Sequence, residues 1–383
     1  MTAMESFTGD AHPYGGGDPY ADYRTAAFPF TRYVDLAGRQ LGAAVIAAND
    51  EFFAQRENLL LPGPAEFDPE HFGHKGKIMD GWETRRRRGA RADHPWPTAE
   101  DHDWALVRLG TPGVIRGIVV DTAHFRGNYP QAVSVEGTSV PGSPSPQELL
   151  GDDVQWTTLV PRTPVGGHAA NGFAVSVDQR FTHLRVNQHP DGGIARLRVY
   201  GEVVPDPRWL EILGTFDVVA LENGGQVEDA SNLFYSPATN TIQPGRSRTM
   251  GDGWETRRRR DQGHDWIRYR LVAQSRIRAL EIDTAYLKGN SAGWASVSVK
   301  DGGGGEGSGS GESGEDGDWT EIVPRTGLQP DTNHRFVLPT PSVATHARVD
   351  IYPDGGISRL RLFGSLTEAG GSTLTARHQR LGG

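Results

Sequence analysis

The chain has 383 residues, of which 36% are hydrophobic and 23% charged, with 50 glycines and 25 prolines. That length suits two domains at roughly 100–200 residues each, and the glycine and proline content favours short strands joined by turns over long helices. A net charge of −9 argues against a general nucleic-acid binder, and the lack of cysteine excludes disulfides, thiolate metal sites and a cysteine nucleophile.

In chain order, residues 1–27 are rich in Gly, Pro, Asp and Tyr without periodicity and read as a disordered tail. They lack the basic start and apolar stretch of a secretory signal. No apolar run approaches the roughly 20 residues needed to span a bilayer, so no membrane partner and a cytoplasmic setting are expected.

From residue 28 the chain repeats itself. DGWETRRRR stands at Asp80–Arg88 and again at Asp252–Arg260, an offset of 172. His102-Asp103-Trp104 returns at His264-Asp265-Trp266, and Asp121-Thr122-Ala123 at Asp283-Thr284-Ala285, both at an offset of 162. Gly127-Asn128 matches Gly289-Asn290, and the stretches from Trp156 and Pro190 match those from Trp319 and Pro353 at an offset of 163. A constant order at near-constant offsets is a duplication. Its period is far beyond the roughly 20–50 residues of a solenoid. Repeat one spans residues 28–204, with extra residues before His102. Repeat two spans residues 205–366, with a Gly/Ser/acidic insertion at 301–318 read as a surface loop. Residues 367–383 read as a second disordered tail.

Within each repeat, WALVRLG, VIRGIVVDT, AVSVEG and HLRVNQH, with WIRYRLV, IRALEIDT, ASVSVK and HARVDIY, alternate or are β-branched. TPG, GNYP, PDGG and the two VPRT segments read as turns between them. The expectation is all-β: two tandem jelly-roll β-sandwiches of the galactose-binding-like kind.

The residues that carry chemistry gather in the repeated motifs. If Trp82–Arg88 is extended, Glu83, Arg85 and Arg87 share one face, placing a carboxylate between guanidiniums suited to gripping a planar anion. Glu255 and Arg257 are their second-repeat counterparts. His102 and His264 stand just before a strand, and imidazole exchanges protons near neutral pH. Asp103 then makes a local turn bond and Trp104 enters the core. Asp121, ending a strand, is placed to orient His124 or a substrate amide. His124 and His189 are replaced in the second repeat by Tyr286 and Tyr352, which hints at one competent site or one shared by both copies. No spacing of His, Asp and Glu identifies a metal site. No cofactor is indicated, and a divalent ion remains compatible with the composition.

KGKIMDGWETRRRR, GHDW, VRLGTPGVIRGIVVDTAHFRGNYPQAVSVEG, WTTLVPRT and HPDGGIARLRVYGEV together resemble the allantoicase family over about residues 30–366. The resemblance implies a hydrolase of C–N bonds in linear amidines, converting allantoate to (S)-ureidoglycolate and urea in purine breakdown, and a homo-oligomer. Against that chemistry, residue types assign Glu83, His102 and His124 to proton transfer. Trp82, Arg85, Arg87, Asp121, Asn128, His189, Glu255, Arg257 and His264 are assigned to substrate binding, the arginines to the carboxylate. Two other readings stay open: a non-catalytic carbohydrate- or small-ligand-binding jelly roll, and an anion-binding adaptor using the arginine runs.

Overall fold

The computed structural model describes residues 4–8, 28–302 and 319–382. The chain forms two compact units that part between Val204 and Pro205. The 301–318 insertion falls outside the described residues beyond Gly302, as does the N-terminal tail except for one strand, β1 (Met4–Thr8).

The first unit then contains β2 (Ala44–Ala48), β3 (Trp82–Glu83), β4 (Asp103–Asp121), β5 (Ala132–Thr138), β6 (Thr157–Pro164), β7 (Ala169–Ala174), β8 (Arg180–His189), β9 (Gly193–Ile194) and β10 (Arg196–Val203). All pairings are antiparallel. The first half of β4 pairs with β2 and β8, and β8 continues through β5 to β6. Its second half pairs with β7 and β10, and β7 with β1. Alternate residues from both halves meet in one core: Ala105, Val107 and Leu109 with Ile118, Val120, Leu184, Val186, Leu197 and Val199. The period-2 apolar pattern is thus the inner lining of a sandwich.

The TPG segment, expected as a turn, lies inside β4, a single strand of 19 residues. A Cβ on Gly113 would sit 2.2 Å from the carbonyl oxygen of Glu202, so close strand approach explains this glycine. The VPRT segments likewise fall inside strands rather than turns.

The second unit repeats the plan with β11 (Gln226–Ala230), β12 (Trp254–Glu255), β13 (Asp265–Asp283), β14 (Trp294–Lys300), β15 (Thr320–Gly327), β16 (Asn333–Tyr352), β17 (Gly356–Ile357) and β18 (Arg359–Leu366). The strand β13 pairs with β11, β16 and β18, and β16 leads through β14 to β15. The C-terminal stretch read as a disordered tail is instead a helix, α1 (Glu368–Arg380). Thr367 Oγ1 caps it by accepting from the Gly370 N–H at 3.0 Å. Leu374 and His378 are buried. Gly370, which lowered the helical signal, is there because a Cβ would lie 2.1 Å from the Gln274 carbonyl oxygen.

Candidate active site

Both ends of β4 meet at one rim of the first sandwich. Gln188, near the end of β8, lies opposite Asp103, and Arg196, opening β10, lies opposite Asp121. The short Pro190–Ala195 connection joins those two points, entered through a cis His189–Pro190 bond, with Gly192 at φ 145° where only glycine is comfortable. Against this turn lies β3, paired with β9. The motifs singled out in the sequence therefore converge.

The strand through WETRRRR is shorter than expected: β3 holds Trp82 and Glu83 alone. Trp82 is fully buried, its Nε1 donating to the Asp50 carbonyl at 2.7 Å, so it is core and offers a ligand no surface. Arg85 is held by the Asp50 carboxylate at 2.6 Å. Arg87 donates through Nη2 to Asp103 at 2.7 Å and through its backbone N–H to Asp191 at 2.7 Å. The strand ends at Glu83, and Arg85 and Arg87 turn to Asp50 and Asp103 rather than sharing an extended face with it.

Glu83 sits half-buried with Oε1 accepting from Asn128 Nδ2 at 2.8 Å. Burial pushes its carboxyl above the usual range, while the Asn128 bond and Arg86 pull the other way. Burial likewise raises Asp191, against the Arg87 N–H. Asn128 also fixes the turn, its carbonyl accepting from Gly193 N–H at 2.7 Å.

His102 and His189 come together, ring centroids 5.4 Å apart. His102 Nδ1 donates to the Glu100 carbonyl at 2.9 Å, which leaves Nε2 bare in the neutral ring. His189 lies 3.0 Å from Ser134 Oγ through Nε2. Burial, then the Arg162 and His102 charges, lower it to about 4. Asp103 is the buried residue of the HDW motif and Trp104 the half-exposed one, the reverse of the expected assignment. The reason is the buried pair Asp103 makes with Arg87, helped by Asn49 Nδ2 at 2.9 Å.

His124 stands apart from both groups. It has φ 66°, stacks on Phe67 at 5.2 Å, and donates through Nε2 to the Ala65 carbonyl at 3.2 Å. Its Nδ1 is then the bare nitrogen. Burial holds the ring's pKa down. The Asp121 carboxylate accepts from the Ala123 N–H at 2.8 Å and shapes the loop. Among the described residues no hydrogen bond or ring contact joins Glu83 to His102 or His124.

At the second rim, Glu255 is half-buried and Arg257 exposed. Asn290 Nδ2 lies 3.1 Å from Met250 Sδ rather than on Glu255. His264 is pinned, with Nε2 2.8 Å from Asp350 and its ring 4.7 Å from Tyr352. Arg325 covers Tyr352 at 3.5 Å.

Among the described residues no group of three or more His, Cys, Asp or Glu is placed to hold a metal ion, and no helix is long and apolar enough to cross a membrane. Arg126 and His168, beside His124, escaped the sequence reading. Their signal was a difference between repeats, where Lys288 and Asp331 stand instead.

An allantoicase-repeat profile matches residues 34–204 and 216–367. The chain is 81% identical over 382 residues to a probable allantoicase of Streptomyces coelicolor, covering 100% of this chain and 98% of that one. It is 49% identical over 346 residues to a probable allantoicase of Nocardia farcinica, covering 90% and 97%. The crystal structure of allantoicase from Saccharomyces cerevisiae superposes with a TM-score of 0.70 at 30% identity, covering 87% of this chain and 93% of that one.

Proposed function

Since the chain belongs to the allantoicase family, we propose that it hydrolyses allantoate to ureidoglycolate and urea at the rim of its first repeat, with Glu83 as the base. Allantoate carries one carboxylate and two ureido groups on a single carbon. Hydrolysis breaks the bond from that carbon to one ureido nitrogen and forms a bond to the oxygen of water. The water gives up a proton and the departing nitrogen gains one.

The observation that carries this reading is the setting of Glu83. Asn128 holds Oε1 at 2.8 Å, which fixes the carboxylate and leaves Oε2 as the oxygen to take the proton from water. Burial raises its basicity above that of a solvated carboxylate. His102, as the imidazolium with Nδ1 kept on the Glu100 carbonyl, gives its Nε2 proton to the departing nitrogen, and the proton that the water loses to Glu83 restores the balance. His189 is held neutral down to about pH 4 and His124 is also biased neutral by burial, which suits both to hydrogen bonding rather than to acid catalysis. Fixing the substrate in the rim supplies the rest of the rate enhancement.

Glu83→Gln keeps the size and the Asn128 contact but removes the base. Turnover of allantoate, read as urea released, falls by about 10²–10⁴ with the melting temperature unchanged. Near-normal turnover would take Glu83 out of the mechanism. A cytoplasmic homo-oligomer that needs no nucleic-acid partner belongs to the same proposal; the lack of cysteine suits a reducing compartment, and sedimentation of the purified chain checks the assembly, a monomer counting against it.

A further inference from the structure

Arg126 is a buried cation, two of whose three nitrogens have no acceptor among the described residues. It is 6% exposed, and its Nε and Nη1 are buried without a hydrogen-bond partner among the described residues. Its Nη2 lies 3.4 Å from His168 Nε2, and that contact is not a bond of the usual kind. The His124 backbone N–H donates to His168 Nδ1 at 2.8 Å. Nδ1 is therefore an acceptor, and the neutral ring carries its proton on Nε2. Two donors face each other, and Arg126 Nε and Nη1 stay without an acceptor among the described residues.

Removing such a group from water without an acceptor is costly. The buried acceptor-free fork is explained by a ligand that brings oxygen atoms. A carboxylate fits best, since its two oxygens match two parallel N–H groups of a guanidinium. The arginines expected to take that part are occupied: Arg85 by Asp50 and Arg87 by Asp103. Arg126 also lies two residues before Asn128, which holds Glu83. One loop thus carries the anion receptor and the support of the base. The second repeat lacks the arrangement. There Lys288 is exposed, and Asp331, in place of His168, accepts the Tyr286 N–H with its own carboxylate at 2.7 Å.

We propose that Arg126 receives the carboxylate of the substrate and sets the enzyme's preference for an anion. The proposal rests on placing the reaction in the first repeat. The test uses the full chain, allantoate turnover, and calorimetric binding of two probes: N-carbamoylglycine, which keeps the carboxylate and one ureido group, and its neutral carboxamide. Arg126→Met is expected to raise KM for allantoate by about 10–100-fold with a smaller change in kcat, as loss of uniform binding does. It should also abolish the preference for N-carbamoylglycine over the carboxamide while melting no lower than wild type. Arg126→Lys, which keeps the charge and loses the fork, should fall between. A Met variant that keeps the preference, or loses kcat with KM intact, overturns the proposal. Should that variant not fold, a Lys variant indistinguishable from wild type overturns it equally. Glu83→Gln separates the two readings: it loses turnover but keeps the preference for the carboxylate, and its own failure would leave the Arg126 result standing.

Discussion

The two rims share their framework and differ in their chemistry. In both, the tryptophan indole donates to a loop carbonyl, Trp82 to Asp50 at 2.7 Å and Trp254 to Asn232 at 2.8 Å. In both, a threonine N–H donates to the glycine turn, Thr84 to Gly192 and Thr256 to Gly355, each at 3.0 Å. In both, an arginine spans two aspartates, Arg87 between Asp191 and Asp103 and Arg259 between Asp354 and Asp265. The contacts of the groups able to exchange protons are not shared. His189 faces Ser134 where Tyr352 faces Ser296, and His102 keeps a bare nitrogen where His264 is taken by Asp350. Only Glu83 is held by its asparagine. The duplication kept the residue types Glu83, His102 and Asn128 as Glu255, His264 and Asn290, and let their surroundings diverge.

The widest gap should open between the two glutamates. Glu255→Gln is expected to leave turnover within about twofold of wild type, against the loss of about 10²–10⁴ at Glu83. Equal losses would mean that both rims react, and would dissolve the asymmetry. The framework should behave in the opposite way. Arg87→Ala and Arg259→Ala each strand a buried aspartate, with only Asn49 or Ser231 still donating to it. Each should cost about 2–4 kcal/mol of unfolding free energy in urea titrations. A clear inequality between them would show that one scaffold had drifted too.

The finest distinction lies in pH. The Asn128 bond favours the charged form of Glu83, so Asn128→Ala raises that pKa further. A base must be deprotonated, so the acid limb of the kcat/KM profile should move to higher pH, activity falling at acid pH and recovering at neutral. Asn290→Ala should leave the profile in place.

The duplication, the all-β class and most strands were legible because alternation and repeated turn chemistry are local signals. Gly370 and Gly371 hid the C-terminal helix, since glycine lowers helical propensity and the reason for Gly370 is a backbone contact far away in sequence. In the site, residue type and position point to Glu83, His102 and Asn128, and the fold brings Glu83 and Asn128 together. Arg85, Arg87 and Trp82 were read as ligand-facing because a retained string of charges looks like chemistry. Their partners, Asp50, Asp103 and the Asp50 carbonyl, sit in segments that only folding brings close. Arg126 was passed over for the converse reason: an arginine in a loop reads as solvated until its burial is seen.

The rim is stitched from remote pieces. Thr84 meets Gly192 across 108 positions and Arg87 meets Asp191 across 104, while Asn49 at one extreme and Arg196 at the other both contribute bonds that brace it. No contiguous fragment shorter than nearly the whole first repeat can therefore assemble it. For anyone seeking a minimal catalyst or a transplantable site, the repeat is an indivisible unit, and its loops cannot be borrowed without the sandwich that holds them.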